Sequence, residues 1–331
     1  MSRRVITVGA IAFGCIAIIA MTMFSRRAEL FVGRAVDESQ VEDRAHMVNP
    51  ELLGSGPLVD VSGRDATGIP RPPRTIALTF DDGPDPDWTP RIARALERHG
   101  AVGTFYVIGQ EALRAPGLVA DLAEAGHEIG NHSYTHPLMG TLTGDQVSRQ
   151  IDLTQRVVAG ITDTAPTSFR PPYSGSGDFL PPDELAAARL AADRGMILAL
   201  SSQAVKDFDS RYDVDDLLAQ ALPSLGTSSV VTLHDGGGDR SRTVELIDRM
   251  VPMLQAQGYR FVTVSEMADT AVGVPLSDHE KLFGNTLVTG NSLLQRAEAQ
   301  TPVTGFLDAV DRDRSELPTD HLRAQLLVCR R

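Results

Sequence analysis

The chain has 331 residues, of which 42% are hydrophobic, 22% charged and 5% aromatic. This composition is typical of a globular protein and excludes a disordered, collagenous or fibrous chain. The formal net charge of -12 argues against a nucleic-acid partner, because binding a polyanion requires a basic surface. The two cysteines, Cys15 and Cys329, supply neither a disulfide framework nor a cysteine zinc site, so any metal must be held by His, Asp or Glu.

The first feature in chain order is an uncharged, mostly apolar run at residues 5–24. Its length suits a helix that crosses a bilayer, and no small-x-small cleavage site follows it. We therefore expect residues 1–24 to form an uncleaved signal anchor, with a cleaved signal peptide as the alternative. Residues 25–72 contain Gly, Pro, Ser and mixed charges without sustained periodicity, and we interpret them as a linker.

Residues 73–269 alternate between short β-type runs and helical stretches, which predicts an α/β fold built from parallel β/α units. The runs predict strands at 75–80, 104–108, 128–130, 167–170, 197–201, 229–233 and 261–264. Helices are predicted at 89–99, 118–125, 144–159, 182–194, 214–225 and 242–257. Seven strands fit either a closed barrel or an open doubly wound sheet. The tail at 270–331 has no readable role.

Polar side chains follow four of these strands, at the edge where parallel β/α folds form their active sites. They are Asp81 and Asp82 after the first strand, His132 and His136 after the third, Arg170 after the fourth, and His234 and Asp235 after the sixth. Each group alone has an ordinary explanation, as a solvated turn, chance surface histidines, a loop, or a core or capping histidine. Together, one Asp and two His would bind a metal and leave a position open for water, as in catalytic zinc sites. One further carboxylate, one His and one Arg remain as a base, an acid and an orienting partner.

The segments around these residues resemble the polysaccharide deacetylase family, which is the NodB homology domain of carbohydrate esterase family 4. The matching motifs are Thr-Phe-Asp-Asp-Gly-Pro at 79–84, His-Ser-Tyr-Thr-His at 132–136, Arg-Pro-Pro-Tyr at 170–173 and Leu-His-Asp at 233–235. The stretch at 234–241 looks most like the deacetylase domains of bifunctional bacterial glycosyltransferase/deacetylase proteins. The resemblance covers residues 73–269 and implies a distorted (β/α)7 barrel.

The resemblance also implies roles for individual residues. The metal ligands would be Asp82, His132 and His136, usually with Zn²⁺ and with Co²⁺, Ni²⁺ or Mn²⁺ as alternatives. Asp81 would be the base that takes a proton from the attacking water, and His234 would be the acid that protonates the departing amine. Arg170 would orient Asp81, and the backbone N–H of Tyr173 would stabilise the oxyanion. The pocket for the acetyl group would be lined by Pro172, Phe208 and Leu233.

One region departs from the family pattern. The family usually has Asp-Ser-x-Asp-Trp where this chain has Ala-Val-Lys-Asp-Phe at 204–208, so Ala204 replaces an Asp that supports the catalytic groups in the family. Thr232 also stands where an apolar residue usually lines the acetyl pocket. Our hypothesis is that Asp207, Asp209 or Asp235 partly substitutes for the lost carboxylate, which would leave an active but altered enzyme.

The sequence therefore predicts a metal-dependent hydrolase that removes acetyl groups from an N-acetylated or O-acetylated cell-envelope polysaccharide. Peptidoglycan, a chitin-like oligomer and an exopolysaccharide are the candidate substrates, and the membrane is contacted through the N-terminal helix. The catalytic domain would then lie outside the cytoplasm on a single-pass anchor, or be secreted after cleavage. Two alternatives remain: a non-catalytic barrel that binds or scaffolds glycans, and a metal-dependent hydrolase of another C–N or phosphoester bond.

Overall fold

The computed structural model describes residues 49–52, 54–174, 180–224, 226–269 and 274–275. The strands are β1 (Leu58–Asp60), β2 (Thr67–Gly68), β3 (Thr75–Asp81), β4 (Thr104–Val107), β5 (Glu128–Asn131), β6 (Thr164–Ala165), β7 (Ser168–Phe169), β8 (Ile197–Ala199), β9 (Gln203–Ala204), β10 (Ser229–His234), β11 (Arg260–Phe261) and β12 (Val274–Pro275). The helices are α1 (Thr89–Arg98), α2 (Gly109–Arg114), α3 (Pro116–Glu124), α4 (Gly144–Thr162), α5 (Pro182–Ala192), α6 (Val214–Ala221), α7 (Ser241–Ala256) and α8 (Val264–Met267).

Each of the seven predicted strands has a counterpart, namely β3, β4, β5, β7, β8, β10 and β11, but several are shorter than predicted, and β11 shares only Phe261 with the strand predicted at 261–264. All of their mutual pairings are parallel, as the alternation of strands and helices requires. The six predicted helices are confirmed as α1, α3, α4, α5, α6 and α7, with ends that differ by a few residues. The short helices α2 and α8 were not predicted, because four to six residues carry too little apolar periodicity to stand out.

The main sheet is curled, because one segment of the chain, residues 197–204, pairs with strands near both ends of the strand order. Its strand order is β2-β1-β8-β7-β5-β4-β3-β10-β9, with β11 paired to the start of β3. Strands β8 and β9 belong to one stretch, 197–204, whose middle also bonds β10 through Ser202 N–H donating to Val230 O over 2.8 Å. The result is a curled α/β half-barrel, which agrees with the distorted barrel that the family resemblance implied.

The predicted linker needs a correction, because part of it is folded into the domain. Strand β1 pairs antiparallel with β8, with Leu58 opposite Ala199 and Val59 opposite Leu198. The fully buried side chains of Leu52 and Val59 join a core cluster with Leu198. A strand of three residues between Gly- and Pro-containing turns shows no periodicity, so the sequence could not reveal it. The folded domain therefore begins before residue 73.

The membrane helix predicted at 5–24 lies outside the described residues. Among the residues that the structure does describe, no helix is long and apolar enough to span a bilayer. Most of the tail predicted at 270–331 also lies outside them. Its described part, β12, pairs antiparallel with β6, so the chain remains attached to the domain beyond residue 269.

The packing of β1 leads to a prediction about the domain boundary. A fragment that begins at residue 49 should unfold cooperatively, whereas one that begins at residue 73 should be less stable by on the order of 5 kcal/mol, because burying each large apolar side chain contributes about 1.5–3 kcal/mol. Urea unfolding of both fragments, each ending at residue 275, measures the difference. Equal midpoints and slopes would show that β1 and β2 do not contribute to the folded core.

Candidate active site

The four predicted strand ends come together at the carboxyl end of the parallel strands. Asp81 is the last residue of β3 and lies opposite His234, the last residue of β10. His132 directly follows β5 and Arg170 directly follows β7. Parallel pairing in register brings these positions to one edge, which is why residues far apart in the sequence share a site.

Asp82, His132 and His136 form the group predicted to bind a metal. Their candidate ligand atoms all lie within 4.8 Å of one another. Asp82 Oδ1 lies 3.1 Å from His136 Nε2 and 3.5 Å from His132 Nε2. His132 Nδ1 lies 2.8 Å from the Arg170 carbonyl oxygen, which fixes the ring with Nε2 directed at the carboxylate. Three N/O donors held in this way fit one divalent ion with coordination positions left open.

The two histidines of this group favour the ionised form of Asp82. Burial raises the pKa of its carboxyl group, but the hydrogen bonds and charges of His132 and His136 outweigh burial and lower the pKa well below its ordinary value. Asp82 thus presents an anionic oxygen to whatever cation the two imidazoles face.

Left-handed backbone conformations direct these side chains. Asp82 has φ of 77° and His136 has φ of 57°, in a region that residues other than glycine seldom occupy. The loop that carries both histidines is held from α4, where Gln150 Oε1 accepts hydrogen bonds from the backbone N–H groups of Tyr134 (2.9 Å) and Thr135 (2.8 Å). Gln150 is a positioning residue that the sequence did not reveal, because nothing in the pattern of α4 links it to the histidines.

The turn after Asp82 has no room for a side chain at position 83. A Cβ atom added to Gly83 would lie 2.1 Å from Asp235 Oδ2. Asp235 is buried, accepts a hydrogen bond from Thr89 Oγ1 at 2.5 Å, and has a pKa raised to about 7, mainly by burial. Asp235 therefore packs beneath the Asp82–Gly83 turn.

Arg170 connects the base candidate to the rest of the site. Its side chain is only 1% exposed, and its Nη1 donates to Asp81 Oδ1 at 2.8 Å. Its Nε donates to Ala199 O at 3.0 Å, and its guanidinium lies over the Tyr106 ring at 4.3 Å from the ring centre. Asp81 Oδ2 lies 3.9 Å from His132 Nε2, so the carboxylate borders the metal ligands but its closest ionic partner is Arg170.

His234 is paired with Asp207 on the other side of the site. His234 Nδ1 lies 2.7 Å from Asp207 Oδ1, and its backbone N–H donates to Asp207 Oδ2 at 2.9 Å. Asp207 is fully buried and also accepts from Thr243 Oγ1 at 2.7 Å. Burial would lower the pKa of His234, but the Asp207 carboxylate outweighs it and raises the pKa to about 9. The imidazole is therefore held as a proton donor at neutral pH.

The same contacts distinguish the three acids that could replace the lost carboxylate. Asp207 contacts His234 directly. Asp209 instead bonds the side chain of Arg211, and the side chain of Asp235 bonds Thr89. Ala204 is exposed at the end of β9. Asp207 thus supports the acid candidate, and the Asp207–His234 pair is intact despite the alanine.

Of the three predicted substrate-pocket residues, Phe208 and Pro172 lie next to residues of the site, whereas Leu233 does not. Phe208 is 58% exposed, and its ring meets that of His234 edge-on with centroids 5.2 Å apart. Pro172 is buried beside Tyr173, whose ring lies 4.6 Å from that of His136. The assignment of Leu233 to the pocket is wrong, because this side chain is fully buried in the core cluster that contains helix residues of α6 and α7. Alternation along β10 sends Leu233 to the opposite face from His234.

The fold and site together define an α/β protein with a candidate metal centre, and with candidate acid and base groups beside it, on a curled parallel sheet. A family model described as Polysaccharide deacetylase matches residues 68–187. A peptidoglycan-N-acetylglucosamine deacetylase of Bacillus cereus is 35% identical over 201 residues, covering 60% of this chain and 90% of the relative. A chitooligosaccharide deacetylase of Sinorhizobium fredii is 30% identical and covers 59% and 91% of the two chains.

The solved structures agree with these sequence comparisons. A crystal structure of a peptidoglycan N-acetylglucosamine deacetylase, in complex with a naphthyl-substituted N-hydroxybenzamide, matches with a TM-score of 0.56 and 31% identity. The match covers 62% of this chain and 92% of that chain. The chain belongs to the polysaccharide deacetylase family.

The Asp207–His234 pair predicts a titration that can be measured in the metal-free protein. Because the pKa of His234 in the folded protein is about 9 rather than 6.5, the pair stabilises the fold fully below about pH 6.5, and this contribution is lost as pH rises through about 9. Asp207→Asn should lower the pKa of His234, because the main group that raises it is removed while burial still lowers it. NMR titration of the imidazole protons measures it.

Asp209→Asn is the matched control, because Asp209 lies two residues away and bonds Arg211 rather than the imidazole. It should leave the titration of His234 as in the wild-type protein. An unchanged pKa in Asp207→Asn would contradict the assignment of Asp207 as the partner of His234.

Proposed function

We propose that this protein removes acetyl groups from N-acetylated sugars of a cell-envelope polysaccharide and that it uses one divalent metal ion, Zn²⁺, to do so. The observation that carries the proposal is the separation of two adjacent carboxylates. Asp82 faces His132 and His136, whereas Asp81 is held by Arg170 beside them. The site thus has a metal-binding acid and a second acid kept available for proton transfer.

Asp82, His132 and His136 would hold the ion. When bound, a divalent ion supplies Lewis-acid polarisation of a carbonyl and acidifies water. These three side chains are the only cluster of this kind among the described residues, and no cysteine lies among them. Oxygen and imidazole donors of this type suit zinc and also Co²⁺, Ni²⁺ or Mn²⁺.

Asp81 would act as the general base. Its Oδ1 accepts from the Arg170 guanidinium, which leaves Oδ2 directed to the side where His132 lies. Oδ2 can then accept the proton of the attacking water. A carboxylate that binds a metal is a poor base, so the adjacent acids suit different tasks.

His234 would act as the general acid. Hydrolysis of an acetamide yields acetate and an amine, and the amine nitrogen needs a proton as the C–N bond breaks. The raised pKa of His234 keeps that proton on the imidazole at neutral pH, and the Asp207 contact at Nδ1 leaves Nε2 to deliver it.

Tyr173 would stabilise the developing oxyanion through its backbone N–H. Within the described part of the chain this N–H has no hydrogen-bond acceptor, and the residue has φ of 59°. Its side chain is 41% exposed beside the metal-binding histidine His136. A free, fixed donor at this position suits a charge that develops during the reaction.

The substrate would be an acetylated glycan such as peptidoglycan, a chitin-like oligomer or an exopolysaccharide. The names of the relatives support this class, since one acts on N-acetylglucosamine in peptidoglycan and another on chitooligosaccharides. Such polymers lie outside the cytoplasm, which agrees with a membrane anchor at residues 5–24 as the sequence predicts. We propose that the catalytic domain is displayed outside the membrane on this anchor or is secreted after its removal.

The proposal predicts acetate release from an acetylated glycan. The protein, supplied with zinc, should release acetate from N-acetylated chitooligosaccharides or peptidoglycan. Asp81→Asn should reduce kcat by about 10²–10⁴-fold, the usual contribution of a general base, without loss of bound zinc. His132→Ala should lose zinc as well as activity. Acetate measured enzymatically and zinc measured by mass spectrometry separate the two effects.

The matched control is Asp209→Asn, which removes a nearby carboxylate that does not contact these groups and should leave both values unchanged. Full activity in Asp81→Asn would contradict the role of Asp81 as the base but not the proposed reaction. If the zinc-bound protein released no acetate from any acetylated glycan, the proposed function would be wrong.

Metal removal gives an independent prediction. Treatment with a chelator should abolish acetate release, and one equivalent of Zn²⁺ should restore it, because the triad offers one set of three donors. Activity that persists after the metal content falls to zero would contradict a metal-dependent reaction.

A further inference from the structure

Three buried hydroxyl groups, one of which contacts the guanidinium of Arg170, lie side by side inside the curled sheet. Thr79 on β3 and Thr232 on β10 are paired in register, and Ser201 lies between β8 and β9. All three side chains belong to the buried part of the protein. Thr232, which stands where an apolar residue usually lines the acetyl pocket in the family, contacts both of these neighbours through its hydroxyl group.

The contacts form a chain that ends at Arg170. Ser201 Oγ lies 2.5 Å from Thr232 Oγ1, and Thr232 Oγ1 lies 3.3 Å from Thr79 Oγ1. Thr79 Oγ1 donates to Val231 O at 2.9 Å and accepts from Arg170 Nη1 at 2.7 Å.

Counting hydrogens gives this chain a direction. A guanidinium only donates, and the single proton of Thr79 is used on Val231 O, so Thr79 must accept from both Arg170 and Thr232. Thr232 then donates its only hydroxyl proton to Thr79, so it must accept a hydrogen bond from Ser201. Each hydroxyl group therefore depends on the next one for its orientation.

The nitrogen at the end of the chain is the one that contacts Asp81. Arg170 Nη1 has two hydrogens, and it donates one to Thr79 Oγ1 and the other to Asp81 Oδ1 at 2.8 Å. A shift of Thr79 therefore changes the direction of the bond to Asp81. The remaining donors of Arg170 bond the carbonyl oxygens of Ala199 and Leu200 and do not reach the carboxylate.

We propose that Ser201, Thr232 and Thr79 are positioning residues that fix Arg170 Nη1 and, through it, the direction of the Asp81 carboxylate. The inference rests on the proposed role of Asp81 as the base. None of the three hydroxyl groups bonds a metal-binding side chain, so we expect their removal to act on catalysis rather than on metal binding.

The test compares two substitutions of Thr232 with a matched control. Thr232→Val keeps the shape of the side chain and removes the hydroxyl group, so it should lower kcat for acetate release by about 10-fold while KM and zinc content stay unchanged. Thr232→Ser keeps a hydroxyl group and should restore kcat close to the wild-type value. Thr75→Val is the control, because this threonine is also buried and lies on the same strand as Thr79, but its hydroxyl group bonds Pro72 O.

A double substitution tests whether the hydroxyl groups act as one chain. Ser201→Ala should lower kcat less than Thr232→Val does. The combination should be no slower than Thr232→Val alone, because both remove the same support. Independent, multiplying losses would overturn the proposal, as would an unchanged kcat or an equal loss in Thr75→Val.

A spectroscopic readout keeps this inference separate from the proposed function. In the wild-type protein the two Nη nitrogens of Arg170 should give distinct ¹⁵N signals, assigned by their loss in Arg170→Lys. Thr232→Val should increase exchange between them. If the wild-type protein releases no acetate but the signals respond in this way, the proposed function fails and the positioning chain stands. If the signals do not respond, the positioning chain is refuted whatever the activity.

Discussion

Arg170 is buried, and it contacts both the proposed base and a proposed metal ligand. The guanidinium of Arg170 donates a hydrogen bond to Asp81, and the carbonyl oxygen of Arg170 lies within hydrogen-bond distance of His132 Nδ1. The positions of base and metal ligand are therefore set by one residue at the end of β7. A buried guanidinium is costly unless its donors are satisfied, and here the barrel interior satisfies them with the Thr79 hydroxyl group, strand-end carbonyl groups and the Tyr106 ring.

This constraint lets two neighbouring acids do different work. Asp81 ends a regular strand and points into the curled sheet, where Arg170 meets it. Asp82 takes a left-handed conformation and turns to the two histidines instead. The carboxylates would repel each other if they shared one environment, so the change of backbone direction and the separate cationic or imidazole partners stabilise both charges.

The sequence could place the candidate site residues at one edge of the sheet because the carboxyl ends of parallel strands must meet, whereas their roles came from the family resemblance. Strand β1 was missed, since its partner β8 lies about 140 residues away in the chain and three residues show no periodicity. The pairing of Asp207 with His234 could only be one of three hypotheses, because the acid lies on a loop whose path depends on packing against Thr243. Leu233 was placed wrongly, although its position next to His234 on a strand already implied the opposite face.

The central claim, that the protein deacetylates a cell-envelope polysaccharide, is tested most directly in cells. Mass spectrometry of envelope glycans should be compared between a strain that lacks the protein and strains complemented with the wild-type protein or Asp81→Asn. The account predicts a higher fraction of acetylated sugars without the protein, restored by the wild-type protein and not by the variant. Identical acetylation of every envelope glycan in all three strains would contradict it.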